Sequence, residues 1–305
     1  MHFFILVYLF IHLLAPPPDT TTVRYINRTN IEFQKVGLLG VTVLVASGDS
    51  GAHGRTDESC ILNPKMHPAY PAASPFVTAV GGTQYSGDVS TTGVTAPVCT
   101  GGKLSLPCAG TGHEVTASTD PKCNGCRQQR ARITSGGGFS NLSPQPSWQH
   151  DAVAAYLEQT DSLPPAKDFN AAGRGYPDVS ALSHQYVVEL NGSLGLVDGT
   201  SAATPVMAGL VTLINAHRAA NGRPTVGFLN PLLYKVFAAD PTAFNDITEG
   251  SNACTESGCL CKTGFSATKG WDAATGLGSP NFGRLIEAID RIDEARERRI
   301  ANTVV

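Results

Sequence analysis

The run Val41-Thr42-Val43-Leu44-Val45-Ala46 limits the architecture more than any other stretch of this chain. It is rich in β-branched residues and lacks the apolar/polar alternation of a half-exposed strand. Such a strand is covered on both faces, as in a parallel sheet between layers of helix. It runs directly into Ser47-Gly48-Asp49-Ser50-Gly51. A carboxyl group therefore stands just past the C-terminal end of a buried strand, where open α/β sheets place their sites. An isolated Asp at that point also serves as an ordinary turn former.

The flanking segments agree with an α/β fold. Residues 25 to 39 read as a helix with Ile26, Ile31, Phe33 and Val36 on one face, ended by Gly40. Phe76 to Val80 reads as the next strand. Short strands and turns alternate from Val179 to Leu196. Ser201 to Arg218 reads as a helix with Ala203, Met207, Leu210 and Ile214 on one stripe. Pro205 is expected in its first turn, where a missing N–H costs little. Further helices are expected at about Leu229 to Ala238 and Phe282 to Ile292. Helix, strand, loop and strand in this order suggest a parallel sheet.

Residues 85 to 132 differ: they are rich in Gly, Thr, Ser and Lys and hold Cys99, Cys108, Cys123 and Cys126. They read as an insertion stapled to itself. Cys123-Asn124-Gly125-Cys126 has the spacing of a zinc knuckle, but Cys99 and Cys108 form no matching second one. With Cys60, Cys254, Cys259 and Cys261 the chain has eight cysteines, which fits a disulfide framework made in an oxidising compartment. Asn27-Arg28-Thr29 and Asn191-Gly192-Ser193 are glycosylation sequons, and Asn141-Leu142-Ser143 is a weaker one before Pro144.

Residues 1 to 24 form an apolar leader. Its run is too short to span a bilayer and resembles a signal-peptide core. No Lys or Arg precedes that run, and Pro16 follows Ala15 directly, so a mis-assembled start is the competing reading. The tail from 293 to 305 is charged and is expected to be solvated. A net charge of −3 over 305 residues steers the chain toward neither nucleic acid nor an anionic membrane. Stable membrane insertion is not expected either.

Asp198-Gly199-Thr200-Ser201-Ala202 opens the apolar helix with small residues. A Ser at a helix N-terminus meets free N–H groups and partial positive charge, as a nucleophile requires. It equally describes an N-cap. Taken with Ala46-Ser47-Gly48-Asp49, Tyr70-Pro71-Ala72 and Val77-Thr78-Ala79-Val80-Gly81-Gly82, it resembles the subtilisin-like fold. Subtilisins use an Asn in the oxyanion hole and a His-Gly-Thr-His motif. This chain has Asp49 and no such motif, which nearly excludes a subtilisin-type enzyme. It resembles the sedolisin branch, the serine-carboxyl peptidases, and within it is most similar to lysosomal tripeptidyl peptidase. Ser135-Gly136-Gly137-Gly138-Phe139-Ser140-Asn141, Gly173 to Val179, Gly227 to Pro231 and Gly270 to Gly276 carry that likeness.

The resemblance implies an α/β fold with a subtilisin-like parallel sheet flanked by helices, incomplete at its N-terminal side. The peptidase-like part spans 25 to 292. It implies Ser201 as nucleophile and Asp49, protonated at acidic pH, as oxyanion donor. It further implies one structural Ca²⁺ held by Asp246, Asp272 and the carbonyls of Ile247 and Gly270, and a secreted or lysosomal/vacuolar location. The family's base is a Glu helped by an Asp four residues later. No such pair occurs here, and Glu32 lies on a different helix from the family's pair. Two readings follow: a peptidase, or a non-catalytic pseudopeptidase fragment. Loss of the family's upstream strands is expected to leave an open edge beside residues 41 to 46.

Overall fold

The computed structural model describes residues 5–8, 20–55, 66–85, 114–120, 131–159, 163–261 and 263–303. Cys60, Cys99, Cys108, Cys123 and Cys126 lie outside them. Strand β2 (Thr42–Ala46) pairs in parallel with β3 (Thr78–Tyr85), Leu44 opposite Thr78 and Ala46 opposite Val80. The other edge of β3 pairs in parallel with β7 (Val179–Leu182). The edge of β2 expected to be open is taken by β1 (Ile5–Tyr8), parallel and in register from Ile5↔Thr42 to Tyr8↔Val45. Within the 85–132 stretch, β4 (Glu114–Thr116) pairs antiparallel with the end of β3, so that part belongs to the sheet.

Helices cover both faces, which is why β2 shows no alternation. Leu44, Val80, Val179 and Ala181 face α3 (Thr200–Ala220), which buries Ala203, Met207, Val211 and Ile214 against them. Val43, Val45 and Ala79 point to the opposite face, where α1 (Thr20–Leu38) lays Phe33 and Val36. The first core extends through α2 (His150–Leu157), α4 (Asn230–Ala239) and α5 (Phe282–Thr303). A small antiparallel pair, β5 (Gly138–Pro144) with β6 (Gly173–Tyr176), places Phe139 beside Trp271, ring centroids 6.0 Å apart, and beside Phe265 at 5.5 Å. Another short pair joins β10 (Phe244–Asn245) to β11 (Ser279–Pro280).

A buried polar hub ties these layers. Arg174 and Asp178 are fully buried and paired at 2.5 Å. Asp178 also accepts from Ala79 N at 2.8 Å and Tyr234 Oη at 3.1 Å, while Arg174 Nε donates to Ser74 O at 3.2 Å. Burial pushes the Asp178 carboxyl up, and Arg174 with these donors opposes that push. The charge is tolerated because every strong donor around it is aimed inward.

Two expectations are corrected. Pro205 is the sixth residue of α3, beyond the first turn. Its missing N–H is the one that would bond the Ser201 carbonyl four residues back. The last helix continues past Ile292 to Thr303. Asp290, Asp293 and Glu297 form an acidic stripe on it, with Asp293 buried. His217 and Arg223 meet Asp290 at 2.8 and 2.9 Å, Arg223 meets Glu297 at 2.9 Å, and Arg218 pairs with Asp293. The spacing of three and four residues keeps these carboxylates on one face.

Leu44 is fully buried in the centre of β2. Leu44→Ala is expected to cost about 2–5 kcal/mol, read as a lower urea midpoint with an unchanged slope.

Candidate active site

Two segments meet at the C-terminal end of β2. The chain leaves Ala46, Ser47 N donates to Val80 O at 2.9 Å, and Asp49 follows two residues later. The segment before β5 closes over this turn: Thr134 N donates to Asp49 O at 2.8 Å and Gly136 N to Gly48 O at 2.7 Å. A methyl group on Gly136 would stand 2.3 Å from Ser47 O, so only glycine permits the approach.

The Asp49 side chain is buried and caps α3. Its Oδ1 accepts from both Thr200 N and Thr200 Oγ1, each at 2.8 Å. Thr200 N is one of the helix's free amides, and a carboxylate there also meets the positive end of the helix dipole. Thr200 Oγ1 in turn accepts from Gly48 N at 3.2 Å. Oδ2 takes no part in this cap. It lies 3.7 Å from where a Cβ on Gly199 would sit, and Ser201 Cβ is also 3.7 Å from that point. Asp49 Oδ2 and Ser201 thus flank Gly199, whose φ of +149° excludes ordinary side chains. Arg55 approaches Oδ2 at 3.8 Å and is held by Glu256 at 2.9 Å.

Among the described residues no hydrogen bond to the Ser201 hydroxyl is formed. Glu32 is half-exposed on α1 and pairs with Arg28 at 2.9 Å and Lys35 at 3.0 Å, a surface role along its own helix.

Sequence reasoning quoted Asp198 as part of a motif without seeing its partners. Its carboxylate accepts from His184 Nδ1 at 2.7 Å, Arg132 N at 2.8 Å and Gln185 N at 2.9 Å. Burial opposes ionisation, but His184 and the two backbone donors hold the Asp198 carboxyl below its ordinary value. Nothing in the sequence marks His184, because its partner lies 14 residues away across a hairpin. That hairpin is β8 (Tyr186–Leu190) with β9 (Ser193–Val197).

The four residues expected to bind metal gather around one loop. Gly270 N donates to Asp246 Oδ2 at 3.0 Å, and Thr268 N to Asp272 Oδ2 at 3.3 Å. Asp272 is fully buried and also accepts from Ala274 N at 2.9 Å and Thr275 N at 2.8 Å. Burial nevertheless raises its carboxyl to about 7, and raises that of Asp246 as well. Thr268 Oγ1 is buried without a partner. None of the hydrogen bonds among the described residues ends on the carbonyls of Ile247 or Gly270. One buried carboxylate, one exposed at its rim, idle carbonyls and an orphaned hydroxyl are an all-oxygen donor set that fits a hard cation. Nearby, Cys254 bridges Cys259, and Cys261 is disulfide-bonded to a partner outside the described residues.

No family model matches the chain. It is 46% identical over 280 residues to physarolisin of Physarum polycephalum, covering 90% of this chain and 46% of that protein. It is 41% identical over 281 residues to tripeptidyl-peptidase 1 of Rattus norvegicus, covering 89% and 41%. The fold resembles Pseudomonas sedolisin, a serine-carboxyl proteinase, with a TM-score of 0.63 and 23% identity over 90% of this chain and 62% of the other. The chain therefore spans less than half the length of the curated relatives it matches. Identity at this level along nine-tenths of the chain, on this fold, means that it belongs to the sedolisin family of serine-carboxyl peptidases.

Proposed function

We propose that this chain is the nucleophile-bearing part of a serine peptidase that hydrolyses peptide bonds at acidic pH, with Ser201 as nucleophile and Asp49 as oxyanion donor. One observation carries the reading: Thr200 gives both its donors to Asp49 Oδ1, which leaves Oδ2 outside the cap, facing Gly199 as Ser201 Cβ does. The mechanism requires a proton on Asp49, and Oδ2, which accepts nothing from Thr200, is the oxygen that would carry it. A protonated Oδ2 donates to the oxyanion that forms when Ser201 Oγ attacks the scissile carbonyl. An ionised one would repel it, which ties activity to acid. The attack releases the Ser201 proton, and the family resemblance assigns its acceptor to a Glu assisted by an Asp, a pair that has no counterpart in this sequence.

A second reading rests on that same gap. Ser201 lacks a hydrogen-bonded base among the described residues, which supports a pseudopeptidase that binds peptides without cutting them.

We assign the Asp246/Asp272 loop to one structural calcium ion, with the Ile247 and Gly270 carbonyls completing its shell. Bound there, the ion would neutralise the desolvated carboxylates and brace the loop that carries Trp271. No described helix is long and apolar enough to cross a membrane. The Cys254–Cys259 bridge fits passage through an oxidising compartment, and the acid requirement fits a secreted or lysosomal/vacuolar destination.

Peptide hydrolysis at about pH 4 tests the main reading. Ser201→Ala should abolish it. Asp49→Leu should lower it by about 10²–10³-fold. Asp49→Asn keeps a donor that does not titrate, so activity should persist to higher pH. Peptide binding by a wild-type chain that cuts nothing would favour the second reading.

Calcium addition should raise Tm, and a chelator should lower it. The pH dependence has a definite sign. Without metal, folded Asp272 holds a proton up to about pH 7, whereas the unfolded carboxyl releases it near about 4. The folded state binds more protons across that window, so stability in chelator should fall as pH rises through it. Calcium binds the carboxylate form, so its Tm increment should grow over the same range. A calcium effect absent from Asp246→Ala but present in wild type would locate the ion.

A further inference from the structure

We infer that His184 is a positioning residue for the nucleophile, acting through Asp198 to hold the turn that carries Gly199 and Ser201. The inference rests on the reading of Ser201 as nucleophile.

The turn from 198 to 201 is anchored on two sides. Toward the sheet, Asp49 holds Thr200. Away from it, two consecutive residues are pinned to the segment that follows β7. Gly199 N donates to Ser183 O at 2.8 Å, and the Asp198 carboxylate receives His184 Nδ1 and Gln185 N. Its third donor, Arg132 N, comes from the segment whose Thr134 and Gly136 close over the Asp49 turn. Asp198 therefore joins three chain segments at the foot of the nucleophile helix.

Two details show how tightly this junction is built. Gln185 has φ of +56°, a left-handed conformation unfavourable for a non-glycine residue. Its amide is aimed at Asp198 Oδ1, so the carboxylate helps hold the strained residue in place. The His184 side chain is nine-tenths buried, and its Nε2 is buried without a partner. Among the described residues the ring's hydrogen bond is thus the one to Asp198. An imidazole in this state carries its proton on Nδ1, as the acceptor demands.

The chemistry behind the effect is geometric. Attack by a Ser hydroxyl requires near-attack placement, and errors of about 1 Å cost on the order of 10²-fold. Gly199 gives the turn wide backbone freedom. The Asp198 clamp removes that freedom on the side that Asp49 does not reach.

The test compares wild type with His184→Ala, His184→Asn and Asp198→Ala in the full chain. Asn places its Nδ2 the same number of bonds from Cβ as His Nδ1, so it keeps the donor and removes the ring. Amide hydrogen exchange is the first readout, because it does not depend on hydrolysis. Exchange at Gly199 and Thr200 should accelerate by about tenfold or more in both alanine variants. The interior of α3 around Val211 should stay protected, and His184→Asn should restore most of the protection. The second readout is kinetic: kcat should fall by about 10–100-fold in His184→Ala with KM within about twofold, and His184→Asn should recover it. Uniform acceleration of exchange with a lowered Tm would mean that the pair only stabilises the fold, and would overturn the inference. Unchanged exchange at 199–200 in His184→Ala would overturn it too. A wild-type chain without activity but with the exchange pattern above would sink the peptidase reading and leave the clamp standing.

Discussion

Everything near the cleft depends on one carboxylate at a helix end. Asp49 stands at the C-terminal end of β2 and bonds the first residue of α3, so sheet and helix are fixed at the point where they must meet. The contact satisfies an amide that the helix leaves unpaired. The same geometry places Ser201 one residue further on. In the proposed reading, the cap that stabilises the fold and the donor that serves chemistry are the two oxygens of a single side chain. Stability and reactivity at this site therefore cannot be separated by substituting Asp49 with a residue that has only one of the two functions.

Around this contact the structure is held by buried polar pairs as well as by apolar packing. Arg174 and Asp178 connect β6, the start of β7, β3 and α4 in a region with no access to water. Removing either partner would strand a charge, which is far costlier than losing the pair together. At the other end of α3, the acidic stripe of α5 meets His217, Arg218 and Arg223, two of them in the last turn of α3, where the helix dipole already favours cations. Helix α3 is thus tied by polar contacts at both ends.

What was legible in the sequence followed from local pattern. Val41 to Ala46 reads as a strand because burial on both faces erases alternation, and the helix after Ser201 reads from its stripe of Ala203, Met207 and Ile214. The family motifs were legible because they are short and contiguous. What escaped depends on partners distant in sequence. β5 begins in a glycine run without strand character of its own, and its pairing with β6 makes it a strand. The charged end of α5 reads as a solvated tail because its cationic partners lie some 70 positions earlier; Asp290 and His217 are separated by 73 residues. The pairing of residues 5 to 8 with β2 joins segments more than thirty residues apart, which no local pattern announces. His184 had no signal of its own.

The β8–β9 hairpin projects from the clamp with Val187, Val188, Leu190, Leu194 and Leu196 exposed and with Asn191-Gly192 at its tip. Both tip residues have positive φ, 51° and 76°, as a tight two-residue turn requires. Asp198 closes the loop beneath it, so the distance between the two feet does not depend on the length of the arms. Inserting one residue into each arm extends the reach by about 3.3 Å without moving the feet. The arm can therefore be lengthened, shortened or redecorated as an independent variable, while the turn below it keeps its shape.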